Sequence, residues 1–258
     1  MTLFYSSLFF VLGAAVGSFL NVCISRIPNG ESIISPGSHC PKCGCSIKPY
    51  DNIPILSYIL LGGRCRSCRQ AIDFRYWAVE MLTAFLFLIF YWRLGFSYTL
   101  PLALLFTAVM IAVGFIDLGS KIIPNVITIP GIAVALGFSA LQGASSFRDS
   151  ILGILLGGGG LLVVGSLGNI IFDKESMGGG DIKLAAMIGA FWGWKIALAT
   201  FLLSFLSGGI GGIVLLFTRK TVKMQSAIPF GPFIAASAII ALFYGRDVVD
   251  IYLTYLRG

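Results

Sequence analysis

Apolar residues in this chain fall into long, nearly unbroken runs, and one extended polar stretch, residues 26–76, separates the first run from the rest. A membrane-crossing helix needs about 20 apolar residues, with a working range of about 17–25. By that measure the runs predict eight transmembrane helices, near residues 1–22, 77–90, 98–116, 126–141, 151–172, 182–194, 196–217 and 229–244. Some of these are short. No basic residue precedes the first run and Arg26 follows it, the reverse of a secretory signal peptide. The first helix is therefore expected to stay attached, with the N-terminus outside and its other end in the cytoplasm.

Composition removes a soluble alternative. Apolar residues make up 57% of the chain and charged residues 11%, with a mean hydropathy of +0.92, against about 45–50% and about 25% in soluble domains. Eleven acidic and 18 basic residues cannot coat a water-facing surface of a 258-residue chain. Disorder and a secreted disulfide scaffold are excluded for the same reason.

The net charge of +7 raises the question of a nucleic-acid partner, and the placement of the charges answers it. Seven basic residues (Arg26, Lys42, Lys48, Arg64, Arg66, Arg69 and Arg75) lie in or beside the one long polar stretch. Lys and Arg clustered next to apolar spans mark a cytoplasmic loop and suit anionic lipid headgroups. No basic stripe interleaves with aromatics as single-strand binders require, so the expected partner is the bilayer and no nucleic acid. With eight spans, the same side also receives Lys121, Lys174, Lys183, Arg219, Lys220 and Lys223. The outside receives only Arg93, Arg148, Lys195, Arg246 and Arg257.

Glycine is frequent, with 32 residues, and the runs at Gly157–Gly160, Gly208-Gly209 and Gly211-Gly212 fall inside apolar spans. They read as close helix packing through small residues. A phosphate-binding loop would need a strand before it.

Five of the six cysteines lie in the polar loop, as Cys40-Pro41-Lys42-Cys43-Gly44-Cys45 and Cys65-Arg66-Ser67-Cys68. Two C-x-x-C pairs at this spacing predict a tetrahedral Zn²⁺ site made of Cys40, Cys43, Cys65 and Cys68. The cytosol keeps thiols reduced, which favours metal over disulfides. Cys45 is an understudy to Cys43, and the lone His39 reads as solvated. Cys23, at the end of the first span, reads as a small buried hydrophobe. The fold class is thus all-α and polytopic, with about eight transmembrane helices and a small cytoplasmic zinc-binding domain between helices 1 and 2. The expected divisions are a first helix at 1–25, the Cys₄ domain at 26–76 and a transmembrane core at 77–258.

Two acids stand at the ends of apolar runs: Asp117 closes residues 109–117, and Asp181 follows Gly178-Gly179-Gly180 and opens the next run. Ionisable groups at membrane depth are costly and mark function. The plain alternative has Asp181 capping its helix and Asp117 pairing with Lys121. Two neighbouring carboxylates share a proton, so one serves as base toward water and the other as acid toward a scissile carbonyl. The single histidine sits beside a cysteine ligand, which removes a Ser-His-Asp arrangement. The pair points to an aspartyl protease. An ion-coupled transporter or a non-catalytic zinc-knuckle assembly factor are the rival classes.

Several motifs now converge. Gly17-Ser18-Phe19-Leu20-Asn21-Val22 with Arg26-Ile27-Pro28, and Ser35-Pro36-Gly37-Ser38 with the paired cysteines and Asp51-Asn52-Ile53-Pro54, lie toward the N-terminus. Further on are Ile116-Asp117, Ile123-Pro124-Asn125, Gly178-Gly179-Gly180-Asp181-Ile182-Lys183 and Pro229-Phe230-Gly231-Pro232. The chain resembles bacterial type IV prepilin peptidases, of the GxGD group of intramembrane aspartyl proteases, over nearly its whole length. That resemblance implies a bacterial inner-membrane enzyme that cuts the basic leader from prepilins and pseudopilins at the cytoplasmic face. It also implies N-methylation of the new terminus with S-adenosylmethionine, an activity associated with the cysteine-bearing loop. Asp117 and Asp181 are then catalytic, and Gly178, Gly180 and Lys183 belong to the active-site loop. Glu80, where loop meets membrane, and Gly63 are the methyl-transfer candidates. Leader recognition is expected to rest on the substrate's apolar helix, with minor help from Glu31 or Asp51.

Overall fold

The computed structural model describes residues 1–172, 178–218 and 229–257. Lys174, Arg219, Lys220 and Lys223, which the charge argument places on the cytoplasmic side, lie outside the described residues. Every described element is helical, apart from two isolated strand-like bridges, His39–Ser46 and Arg64–Ala71. The chain forms two compact units, residues 1–112 and 113–258.

In the first unit, helix α1 (Thr2–Arg26) packs along α3 (Phe74–Leu94), with the short α2 (Leu56–Leu60) in the loop between them. The packing depends on two glycines. A Cβ at Gly13 would lie 2.7 Å from Ala84 Cα, and one at Gly17 would lie 2.7 Å from Glu80 Cα. Only a missing side chain permits this approach, the small-residue packing expected of helices in lipid. Aromatic rings fasten one end of the pair: Phe9 stacks on Tyr91 at 4.5 Å, and Tyr5 meets Phe96 edge-on at 4.9 Å. At the other end, the Asn21 side chain donates to the Tyr76 carbonyl at 3.0 Å. The buried Arg26 guanidinium donates to the carbonyls of Ser32 and Gly37, tying the start of the polar loop to the helix end.

Helix α4 (Leu100–Ser120) leads into the second unit, which continues through α5 (Asn125–Gln142), α6 (Ala144–Ile154), α7 (Gly160–Phe172), α8 (Gly179–Thr218) and α9 (Gly231–Arg257). A single π turn, Leu155–Gly159, joins α6 to α7. Helix α8 breaks at Gly193, whose φ of 79° and ψ of 179° lie outside helical space and favour glycine. The glycine runs act as packing surfaces at most positions. A Cβ on Gly157 would meet the Ala185 carbonyl at 2.5 Å, one on Gly208 the Phe230 ring at 2.8 Å, and one on Gly211 the Phe233 ring at 2.6 Å. Gly159 and Gly209 have nothing within 4 Å.

The closest crossing is between Gly153 of α6 and Gly189 of α8, where each Cα faces the other's backbone carbonyl with no room for a methyl group. Gly153→Ala is therefore expected to force the two helices apart. Overpacking of this kind costs about 1–3 kcal/mol, so the unfolding midpoint in detergent should fall, and Gly189→Ala should behave alike.

Among the described residues, six helices are long and apolar enough to cross a membrane: Thr2–Asn29, Phe74–Leu94, Leu100–Ser120, Asn125–Gln142, Ala144–Ile171 and Gly179–Val214. The apolar stretch Gly231–Gly245 is shorter. Six long helices thus stand where eight spans were expected: residues 182–194 and 196–217 share the one helix broken at Gly193, and 229–244 falls on the shorter stretch. Large apolar side chains such as Leu3, Phe4, Trp92, Ile170 and Leu206 project outward. In water such a surface would aggregate; in lipid it is the expected exterior. The protein is a multi-pass membrane protein.

Candidate active site and metal centre

Asp117 occupies the last turn of α4 and is buried, at 6% exposure. Its Oδ2 accepts a hydrogen bond from the Gly231 backbone N–H at 2.9 Å, across 114 residues of sequence. Gly231 is the first residue of α9, so its amide is one of the four that a helix leaves unpaired at its N-terminus. The fit is tight: a Cβ on Gly231 would lie 2.7 Å from Asp117 Oδ2. The expected alternative partner, Lys121, meets Asp117 through the main chain, its N–H donating to the Asp117 carbonyl at 2.9 Å.

Asp181 stands in the first turn of α8, where a carboxylate is favoured by the helix dipole. Its N–H donates to the Gly178 carbonyl at 3.1 Å, and a Cβ on Gly178 would come within 3.2 Å of its Oδ2. Gly180 faces Ile123, leaving only 2.9 Å between a Cβ there and the Ile123 side chain. Lys183 is exposed and donates to the Asn125 Oδ1 at 2.8 Å, which pins the start of α8 to the start of α5. The fold thus gathers Asp117, Gly178, Gly180, Asp181 and Lys183 into the second unit. Sequence reasoning missed the role of Gly231. The available signal was the flanking Pro229 and Pro232, since proline near a first helical turn marks a helix start.

The cysteine cluster forms in the first unit. One sulfur from each of Cys40, Cys43, Cys65 and Cys68 lies within 4.8 Å of the others, with Cys40 and Cys68 at 3.9 Å. Tetrahedral zinc with Zn–S bonds of about 2.3 Å requires sulfurs about 3.8 Å apart, so the four residues fit a metal such as zinc. The two halves are built alike. Cys40 N–H donates to the Cys45 carbonyl and Gly44 N–H returns to the Cys40 carbonyl; Cys65 N–H donates to Gln70 and Arg69 N–H returns to Cys65. The equivalent residues Gly44 and Arg69 share a left-handed backbone, with φ of 71° and 58°. Backbone N–H groups of Cys43 and Lys42 bring the Cys40 thiol down to about 7; a metal takes its cysteine ligands as thiolates. Cys45 is exposed and stays outside the cluster.

Beside the cluster, Arg66 donates two nitrogens to the Asp51 carboxylate, with a shortest contact of 2.6 Å. The Arg66 hydrogen bonds hold Asp51 below the ordinary carboxylate range. This pair stabilises the loop above that range and is lost as pH falls through the lowered value. Asp51, expected to give a basic leader minor help, is thus paired within the loop.

The methyl-transfer candidates both touch α2. Buried Glu80 accepts the Ile55 N–H at 2.6 Å, and Ile55 takes a left-handed conformation with φ of 65°, unusual for a β-branched residue. Gly63 sits against Tyr58, whose hydroxyl would lie 3.0 Å from a Cβ there.

Comparison with known proteins agrees with this layout. A model of the bacterial Peptidase A24 N-terminal domain matches residues 11–94, and one of the type IV leader peptidase family matches residues 104–213. A Pseudomonas aeruginosa protein named prepilin leader peptidase/N-methyltransferase is 36% identical, covering 95% of this chain and 92% of its own length. The chain belongs to the type IV leader peptidase family. Family members of the same name from Aeromonas salmonicida (36% identical, 97% of this chain, 94% of theirs) and Bacillus subtilis (37%, 98% and 99%) match end to end. No solved structure matches this leader peptidase.

Proposed function

We propose that this chain removes the leader peptide from type IV prepilins and pseudopilins and methylates the N-terminal amine so released. The observation that carries cleavage is the buried Asp117, held in one compact unit with Asp181 in a chain of this family. In that reading one aspartate takes a proton from water as its oxygen attacks the scissile carbonyl. The other protonates the departing side, and neither carboxylate can substitute for its partner. Gly178, Gly180 and Lys183 set the position of Asp181 through their packing and the Lys183–Asn125 bond.

S-adenosylmethionine is the proposed methyl donor; when bound it supplies an electrophilic methyl group. Residues at the junction of α1 and α3 fit a polar ligand. Asn21 Oδ1, Arg75 Nε and Trp77 Nε1 are buried there without a hydrogen-bond partner, and buried polar atoms are ordinarily paired. Glu80 lies one turn further along α3, and Gly63 braces the other end of α2. The four cysteines bind Zn²⁺ as a structural ion. Its closed four-thiolate shell leaves no position for water, and its contribution is to cross-link the two knuckles.

The same reading places the protein in the bacterial inner membrane with its N-terminus outside, eight crossings, and residues 26–76 in the cytoplasm. The 40 residues of α8 would rise about 60 Å as one helix, twice the hydrocarbon thickness of about 30 Å; the break at Gly193 supports two crossings there. Residues 26–76 form the methylation-associated zinc domain and residues 77–258 the peptidase core.

The test is a single assay on the purified protein in detergent, using a synthetic prepilin with and without labelled S-adenosylmethionine. Cleavage is expected in both conditions, and label in the mature N-terminus only when the donor is present. An absence of cleavage together with ion flux in liposomes would favour the transporter instead. Glu80→Ala is expected to lower methylation of a pre-cleaved substrate more than it lowers cleavage, because it frees the strained Ile55 turn without touching either aspartate.

A further inference from the structure

A carboxylate that acts as a catalyst must offer one defined oxygen to the proton it moves, and Asp117 has two. Among the described residues only Oδ2 is held. Oδ2 accepts the Gly231 amide at 2.9 Å, and an N–H can only donate, so that oxygen is committed as an acceptor. The Gly231 backbone lies so close to the carboxyl that a methyl group would stand 2.7 Å from Oδ2, 2.9 Å from Cγ and 3.0 Å from Cβ. The contact therefore fixes the plane of the carboxyl as well as its distance. On the same side, Gly114, one turn back along α4, lets Ala235 of α9 come within 3.4 Å of where its Cβ would be. The two helices are seated on each other at both contacts.

We infer that the Gly231 amide is a positioning group for cleavage: it holds Asp117 Oδ2 and leaves Oδ1 as the atom that exchanges the proton with water or with Asp181. This rests on the reading of Asp117 as a catalytic residue. The start of α9 is thereby part of the active site, although Gly231 itself touches no reacting atom. Its neighbours serve the placement. Pro232 presets the first helical turn of α9, and the Phe230 carbonyl accepts the N–H groups of Phe233 and Ile234 at 3.1 Å, so the helix begins at this point. The free amide is then the one aimed at Asp117.

Two variants separate positioning from folding. Gly231→Ala keeps the amide but pushes a methyl group into the carboxyl. An ester in place of the Gly231 amide, introduced as glycolic acid by nonsense suppression, removes the N–H and adds no atom. Misplacing a catalytic group by about 1 Å costs on the order of 100-fold in rate, so each variant should lose about 100-fold in kcat with KM within about twofold. Methylation of a pre-cleaved substrate should be unchanged in both, and the ester variant should keep the wild-type unfolding midpoint. Asp117→Asn is measured alongside. If Asp117→Asn is inactive while the ester variant cleaves at the wild-type rate, the positioning role is overturned and the catalytic assignment stands. If Asp117→Asn remains active, the catalytic assignment itself fails. A rise in KM with kcat unchanged would also overturn positioning, placing Gly231 in substrate binding.

Discussion

Asp117→Asn and Asp181→Asn are each expected to abolish leader cleavage in a protein that still folds and inserts. Asparagine matches aspartate in shape, and at position 117 its amide oxygen can still accept the Gly231 N–H, so the seat of α9 on α4 survives. What it cannot do is take up or release a proton. Positioned acid–base groups contribute about 10²–10⁴-fold each, and removing one member of a pair that works together leaves the other idle. The measurement is the cleavage rate of a synthetic prepilin beside the unfolding midpoint of each variant. The wild-type pH–rate profile should be bell-shaped, its two limbs belonging to the pair and not to either residue. Substantial cleavage by either variant would remove that residue from the chemistry.

Cys43→Ser and Cys68→Ser should each release the bound metal and reduce methylation far more than cleavage. The knuckles have few buried apolar side chains; Cys40 is the buried member of the cysteine quartet, while Cys43 is exposed. A loop this small cannot supply a core of its own, so its order is expected to come from the metal. Structural zinc sites contribute about 10–16 kcal/mol of apparent binding energy, enough that losing one thiolate unfolds the loop. Cleavage is proposed to rest on Asp117 and Asp181, which belong to the other compact unit. Metal analysis should find about one zinc per chain in the wild type, by the four-ligand count, and little in either variant. A wild-type protein without zinc, or full methylation by a metal-free variant, would overturn this assignment.

The features legible in the amino-acid sequence are those that act locally. The apolar runs announce membrane helices because hydrocarbon tolerates no unpaired backbone and few charges. Two C-x-x-C pairs announce a four-cysteine cluster fit for a metal because a knuckle carries its geometry within six residues, as the matching bonds of Cys40–Cys45 and Cys65–Gln70 show. Asp117 and Asp181 stand out because each is an acid at the edge of an apolar run. The pairing of Asp51 was not legible, because its partner Arg66 is 15 residues away and sequence spacing says nothing about that contact.

The sequence by itself determined the class of molecule, the cysteine quartet and the two acids, because composition, charge and short spacing act over a few residues. Tertiary structure alone decided the Gly153–Gly189 crossing, the capture of Ile55 by Glu80, and the grip of the Gly231 amide on Asp117. Each joins positions 25 to 114 residues apart. Such contacts depend on how helices are brought together, and a glycine or an acid looks the same in the chain whether or not a distant backbone comes to meet it.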